Sequence, residues 1–158
     1  MLNYYSMKFL HLFVSKAIAT VLFIGFIPFA PGTFGSLAGV AYLWLVKPDT
    51  PLLLITIIVG FMAGVISARE AGEIFGEEDS RHIVIDELIG YFISMLYLPV
   101  TVGYLVAAFV LFRIFDILKP PPIRNIERAV RGGWGVMIDD AVAGVFTNVV
   151  LHVWRVAV

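Results

Sequence analysis

The chain of 158 residues contains no cysteine, which removes disulfides, thiolate metal sites and cysteine nucleophiles from its chemistry. Charge is scarce too: Asp, Glu, Lys and Arg make up 15% of the residues, against about 25% in an ordinary soluble protein. The formal net charge is −1, so the strong basic excess of a general nucleic-acid binder is missing. There is no internal repeat and no low-complexity tail. The length suits one domain over residues 1–158 and is too short for two ordinary ones.

What fills the chain is apolar. Hydrophobic residues account for 60% of it and the mean hydropathy is +0.94, the composition of an integral membrane protein. Apolar runs cover residues 9–29, 37–46, 52–68, 82–98, 100–118 and 136–156. They predict an all-α fold, a compact bundle of about five or six helices in which some segments are too short to cross and are re-entrant. The first run carries Lys8, His11, Ser15 and Lys16 and reads as a retained anchor or interfacial helix. Between the first two runs lies Pro31-Gly32-Thr33-Phe34-Gly35-Ser36. It reads either as a loop offering backbone N–H groups to an anion or as an ordinary turn with Ser36 as helix N-cap. Asp49-Thr50-Pro51 predicts a helix opening with Thr50 as N-cap, and residues 69–81 form the one hydrophilic connector.

Polar chemistry concentrates near segment ends. Asp86 and Glu87 open the run 82–98, Asp116 lies near the end of the next, and Asp139 and Asp140 open the last. If these three segments alternate in direction, all the acids meet at one face, and Asp79 in the hydrophilic connector joins them. The loops of that face also hold Arg69, Arg81, Lys119, Arg124, Arg128 and Arg131, whereas the other face has little beyond Lys47 and Arg155. The positive-inside rule then makes the acidic face cytoplasmic. Converging carboxylates repel unless a cation lies between them, and hard oxygen ligands favour Mg²⁺. Arg113, Lys119 and Arg124 are the cations that could hold a phosphate nearby. Arg113 and Asp116, three residues apart, could equally form a plain ion pair. Read from the residues, this is a divalent-metal site acting on a phosphorylated membrane substrate. The competing readings are a small transporter or ion-binding protein that uses the same acids, and a phosphatidyltransferase, whose D-G-x-x-A-R arrangement is absent. His82 is read as a polar boundary residue.

Four motifs in order carry a family resemblance: PGTFGS, the D-x-x-x-I-V-I-D-E-x-x-G pattern over residues 79–90, FRIFDILKPPPIR and GGWGVMIDDAVAG. Over residues 28–144 the chain closely resembles the phosphatidylglycerophosphatase A family of bacterial lipid phosphatases. That resemblance implies a multi-pass enzyme of the bacterial inner membrane, with its site on the cytoplasmic face. It implies Mg²⁺-dependent removal of the terminal phosphate of phosphatidylglycerophosphate, with membrane lipids as its surroundings. Carried onto this chain, it suggests Asp79, Asp86, Glu87, Asp116, Asp139 and Asp140 as metal or catalytic carboxylates. Arg113, Lys119 and Arg124 fall where phosphate contacts are expected, and Gly32, Thr33, Gly35 and Ser36 belong to the first motif as substrate-binding positions.

Overall fold

The computed structural model describes residues 2–121 and 130–157, with side chains from residue 6 onward, and those residues are all-helical, with no strand among them. In chain order the helices are α1 (Leu2–Ala19), α2 (Pro31–Val46), α3 (Thr50–Phe75), α4 (Ile85–Ser94), α5 (Val102–Leu118) and α6 (Gly132–Ala157), with a 3-10 turn, Ile24–Phe26, between α1 and α2.

Helices α3 and α6, 26 residues each, are long and apolar enough to cross a membrane; at 1.5 Å per residue each reaches about 39 Å, against a hydrocarbon core of about 30 Å. Leu52, Ile55, Ile58, Val59, Met62 and Ile66 lie exposed along α3, and Val145, Val149 and Val153 along α6. Those spacings make continuous outward stripes, which suit a lipid surface and not water. The N-cap of α3 is Asp49, not Thr50: its carboxylate accepts from the Leu52 N–H at 2.9 Å. The helix then runs past residue 68 into the hydrophilic connector, because Arg, Glu and Ala propagate a helix well. It stops at Gly76, which takes the left-handed φ of 77°.

Helix α4 is only ten residues, about 15 Å, so the run 82–98 does not form one crossing. Its C-terminal carbonyls are received by one face of α6. The Asn148 amide donates to Ser94 O at 3.1 Å and to Leu96 O at 2.8 Å, and Arg155 donates to Tyr97 O at 3.2 Å. His152 Nε2 lies 3.2 Å from Leu96 O. The spacing 148, 152, 155 keeps these groups on one side of α6, and irregular backbone in an apolar setting survives only when it is satisfied in this way. Backbone contact between the two helices is made possible by glycine. A Cβ on Gly144 would sit 2.3 Å from Gly90 O, and one on Gly90 would sit 2.7 Å from Asp140 O. Tyr91, Phe92, Phe112 and Met137 fill the core around this crossing, and the Tyr91 hydroxyl donates to Leu105 O at 3.0 Å, tying α4 to α5.

Two further expectations are corrected. The run 9–29 is not one helix, since Val21, Leu22 and Phe23 all have positive φ and break it after Ala19. The bend is held by His82, whose Nδ1 lies 2.9 Å from Gly25 O and whose ring stacks on Phe26 with centroids 4.8 Å apart. Nor is PGTFGS a loop: α2 starts at Pro31, and the buried Ser36 hydroxyl donates to Gly32 O at 3.1 Å within the helix instead of capping it. Proline in the first turn costs no hydrogen bond, which is why the helix can begin there.

Candidate active site

The start of α2, residues 79–83, the first turn of α4, the last turns of α5 and the second turn of α6 surround a cavity of about 380 Å³. Asp79, Asp86, Glu87, Asp116, Asp139, Asp140, Arg113, Lys119 and Gly32 all line it, so the acids nominated from alternating segments do meet at one place. Thr33, Gly35 and Ser36 are not among its lining; Gly35 instead packs against Val84, where a Cβ would lie 2.9 Å from the Val84 carbonyl oxygen. Arg124 lies outside the described residues. Ser80 and Arg81 line the cavity although the sequence reading did not nominate them. The available signal for Arg81 was a cation two residues beyond Asp79, inside the motif that supplies Asp86.

Two cations in the cavity, Arg113 and Lys119, are already engaged by carboxylates. Arg113 Nη1 lies 2.7 Å from Asp116 Oδ2 and 3.9 Å from Glu87 Oε1, so the i, i+3 ion pair exists and also faces the acid cluster. Lys119 Nζ donates to Asp139 Oδ2 at 2.6 Å, and Asp139 Oδ1 accepts the Asp140 N–H at 3.0 Å. The two adjacent aspartates of α6 therefore diverge. Asp139 is tied to Lys119, while Asp140 turns toward Asp116 and toward the first turn of α4. Gly32 closes the other side, since a Cβ there would come within 1.9 Å of Glu87 Oε1.

Asp86, Glu87 and Asp140 form the innermost group, each offering an oxygen such that these oxygens lie within 4.8 Å of one another. Asp86 Oδ1, Glu87 Oε2 and Asp140 Oδ2 are buried and accept no hydrogen bond from the described residues. Buried carboxylate oxygens without donors are costly. Helix α4 is too short to span, and its two buried acids have raised pKa values. Burial, followed by repulsion from Glu87, Asp140 and Asp139, pushes Asp86 well above the usual carboxylate range. Burial raises Glu87 as well, against the opposing effect of its hydrogen bond with Asp86. A hard divalent cation would supply the positive charge that these oxygens lack, and an all-carboxylate donor set with no sulfur or imidazole suits Mg²⁺.

The fold and the site together define an all-helical protein with membrane-length apolar helices and a buried acidic pocket flanked by Arg and Lys. The chain belongs to the phosphatidylglycerophosphatase A family, whose sequence model matches residues 17–155. It is 42% identical over 131 residues to phosphatidylglycerophosphatase A of Escherichia coli K12, covering 81% of this chain and 76% of that protein. It is 38% identical over 130 residues to phosphatidylglycerophosphatase A of Haemophilus influenzae, covering 80% of each. A Bacteroides thetaiotaomicron protein, provisionally named a phosphatidylinositol-3-phosphatase, is 40% identical over 152 residues, covering 90% of this chain and 94% of its own length. No solved structure matches the chain.

Proposed function

We propose that this protein hydrolyses the terminal phosphomonoester of phosphatidylglycerophosphate, releasing phosphatidylglycerol and inorganic phosphate. The observation that carries the reading is the trio Asp86, Glu87 and Asp140, each with a buried oxygen unpartnered among the described residues, in a pocket that Arg81, Arg113 and Lys119 also line, in a chain of this family. The same trio would hold Mg²⁺. When bound, Mg²⁺ supplies positive charge against the phosphate oxygens and makes water more acidic.

The chain's own groups do the rest. Arg113, fixed by Asp116 and Glu87, and Lys119, fixed by Asp139, hold positive charge beside the phosphoryl group without needing to reorganise as negative charge spreads over its oxygens. The N–H groups at the open end of α2, which has no side-chain cap, add the partial positive charge of a helix N-terminus. Water attacks phosphorus, the P–O bond to the glycerol oxygen breaks, and that oxygen takes a proton from solvent and leaves as the alcohol of phosphatidylglycerol. We assign the proton acceptor for the attacking water to Asp116, which neighbours Asp140 and whose charge Arg113 stabilises. The clustering of Arg81, Lys119 and Arg131 on the connections near the pocket, with Arg69 in the last turns of α3, supports a cytoplasmic active site in a multi-pass bacterial inner-membrane protein.

The likeness to the Bacteroides protein supports a second substrate, phosphatidylinositol 3-phosphate, whose reacting group is likewise a phosphomonoester on a lipid. One experiment covers both. Purified protein in detergent is given each lipid with Mg²⁺ or with EDTA, and phosphate is measured. Mg²⁺-dependent release from phosphatidylglycerophosphate is expected. Release from the inositol lipid alone would replace the substrate, and release from neither would overturn the phosphatase reading. A phosphorylated enzyme trapped during turnover would overturn direct attack by water.

A further inference from the structure

The motif Gly132-Gly133-Trp134-Gly135 is not used by the acidic pocket, and its first three residues line a second cavity. That cavity, of about 1030 Å³, runs between the second half of α3 and the start of α6. Close approach of the two helices beside it depends on Gly133, where a Cβ would lie 2.0 Å from Val65 O. From Met62 to Gly76 the α3 wall is about 21 Å long. It changes from apolar, at Met62, Val65 and Ile66, to charged, from Arg69 onward. Trp134 forms part of the opposite wall, with its ring 5.9 Å from that of Phe61.

Between this crevice and the acidic pocket lies a third cavity that shares lining residues with each. This smaller cavity, of about 190 Å³, shares Glu78, Arg131 and Gly132 with the crevice, and shares Asp79 and Asp139 with the pocket. Arg131 is the only basic side chain lining that junction among the described residues, and it has no carboxylate partner among them. Arg69, the other arginine of the crevice, is paired with Glu73 at 3.8 Å. An anionic group crossing the junction past Glu78, Asp79 and Asp139 needs a cation, and Arg131 supplies it.

We propose that the crevice between α3 and α6 seats the acyl-bearing part of the lipid substrate, and that Arg131 holds its phosphodiester at the inner end. The inference rests on the phosphatase reading and adds the substrate's path. The order crevice, Arg131, acidic pocket matches the order acyl chains, phosphodiester, terminal phosphate along the lipid. The crevice opens between the two helices of membrane length, where an acyl chain can enter from the bilayer without passing through water.

The test compares wild type with Ile66→Trp, Arg131→Gln and Arg131→Lys, using dioleoyl and dihexanoyl phosphatidylglycerophosphate in detergent micelles. Ile66→Trp narrows the apolar end, and its expected effect is a rise in KM of about tenfold for the long-chain lipid and less than about twofold for the short-chain one. Arg131→Gln is expected to raise KM about 10- to 100-fold for both lipids, since both carry the phosphodiester, and Arg131→Lys to recover part of the loss. Unchanged KM values overturn the proposal. So does an Ile66→Trp effect that is equal for both chain lengths, or an Arg131→Gln effect that falls on kcat alone. Wild type that releases phosphate from neither lipid would instead remove the phosphatase reading on which the proposal stands.

Discussion

The two ends of α4 treat buried polar groups in opposite ways. At the C-terminal end every polar side chain of α6 that reaches in finds a carbonyl: Asn148 meets Ser94 and Leu96, His152 meets Leu96, and Arg155 meets Tyr97. At the N-terminal end Asp86, Glu87 and Asp140 are brought together, each with a buried oxygen that accepts no hydrogen bond from the described residues. The first arrangement lowers the free energy of a helix that stops inside an apolar surrounding. The second raises it, and a fold keeps such a cost only where the groups serve something other than stability. The same helix, α6, contributes to both ends, so the contrast is not one of element or composition. It lies in whether a partner is present.

Neutralising the acidic end breaks the comparison most sharply. Asp140→Asn is expected to lower phosphate release by about 10³-fold, while the melting temperature in detergent stays the same or rises because one repelling charge is gone. A large fall in melting temperature would mean that Asp140 serves the fold. Next in size is Gly32→Ala. The added methyl group would collide with Glu87 Oε1, and since only a flexible carboxylate must move, the protein should fold with activity about 100-fold lower. Activity equal to wild type would show that the position of Glu87 is immaterial.

The opposite end should behave in the reverse manner. Asn148→Leu leaves the Ser94 carbonyl without its donor and Leu96 O with His152 alone, and is expected to cost about 1–3 kcal/mol of stability, read by denaturation, with KM unchanged. A shift in KM with stability intact would dissolve the distinction between the two ends. The smallest effect concerns pH. Asp86 and Glu87 have raised pKa values, so without metal the folded state holds protons more tightly than the unfolded state. Their contribution to stability is present at low pH and is lost as pH rises through the folded values. Mg²⁺ competes with those protons, so the rise in melting temperature on adding Mg²⁺ should grow with pH. A pH-independent increment would argue that the cation binds elsewhere.

Much of this was legible in the residues. Apolar runs located the helices, and alternation of segment direction brought Asp86, Glu87, Asp116, Asp139 and Asp140 to one face. Boundaries were less legible because hydropathy measures burial in lipid, not helix propagation. Thus α3 extends through Arg69, Glu70 and Glu73, whose side chains favour helix although they are polar. The run 82–98 stays apolar from Leu88 to Leu98 but for Gly90 and Ser94, yet stops being helix at Ser94, where α6 offers side chains to receive the carbonyls. Arg81 was legible as a basic residue of that face but not as part of the cavity lining, because the residue type alone does not separate a solvated arginine from one at a cavity rim.

The sequence by itself determined the class of surroundings and the chemistry on offer: apolar runs that bury only in lipid or in one another, oxygen donors and no sulfur, and glycines at the positions where backbones must touch. Tertiary structure alone decided how that chemistry was shared out. Asp139 and Asp140 are neighbours in the chain with the same intrinsic acidity. Successive helical residues point about 100° apart, and the packing of α5 and α4 on either side gives one of them a lysine and the other three more carboxylates, Asp86, Glu87 and Asp116.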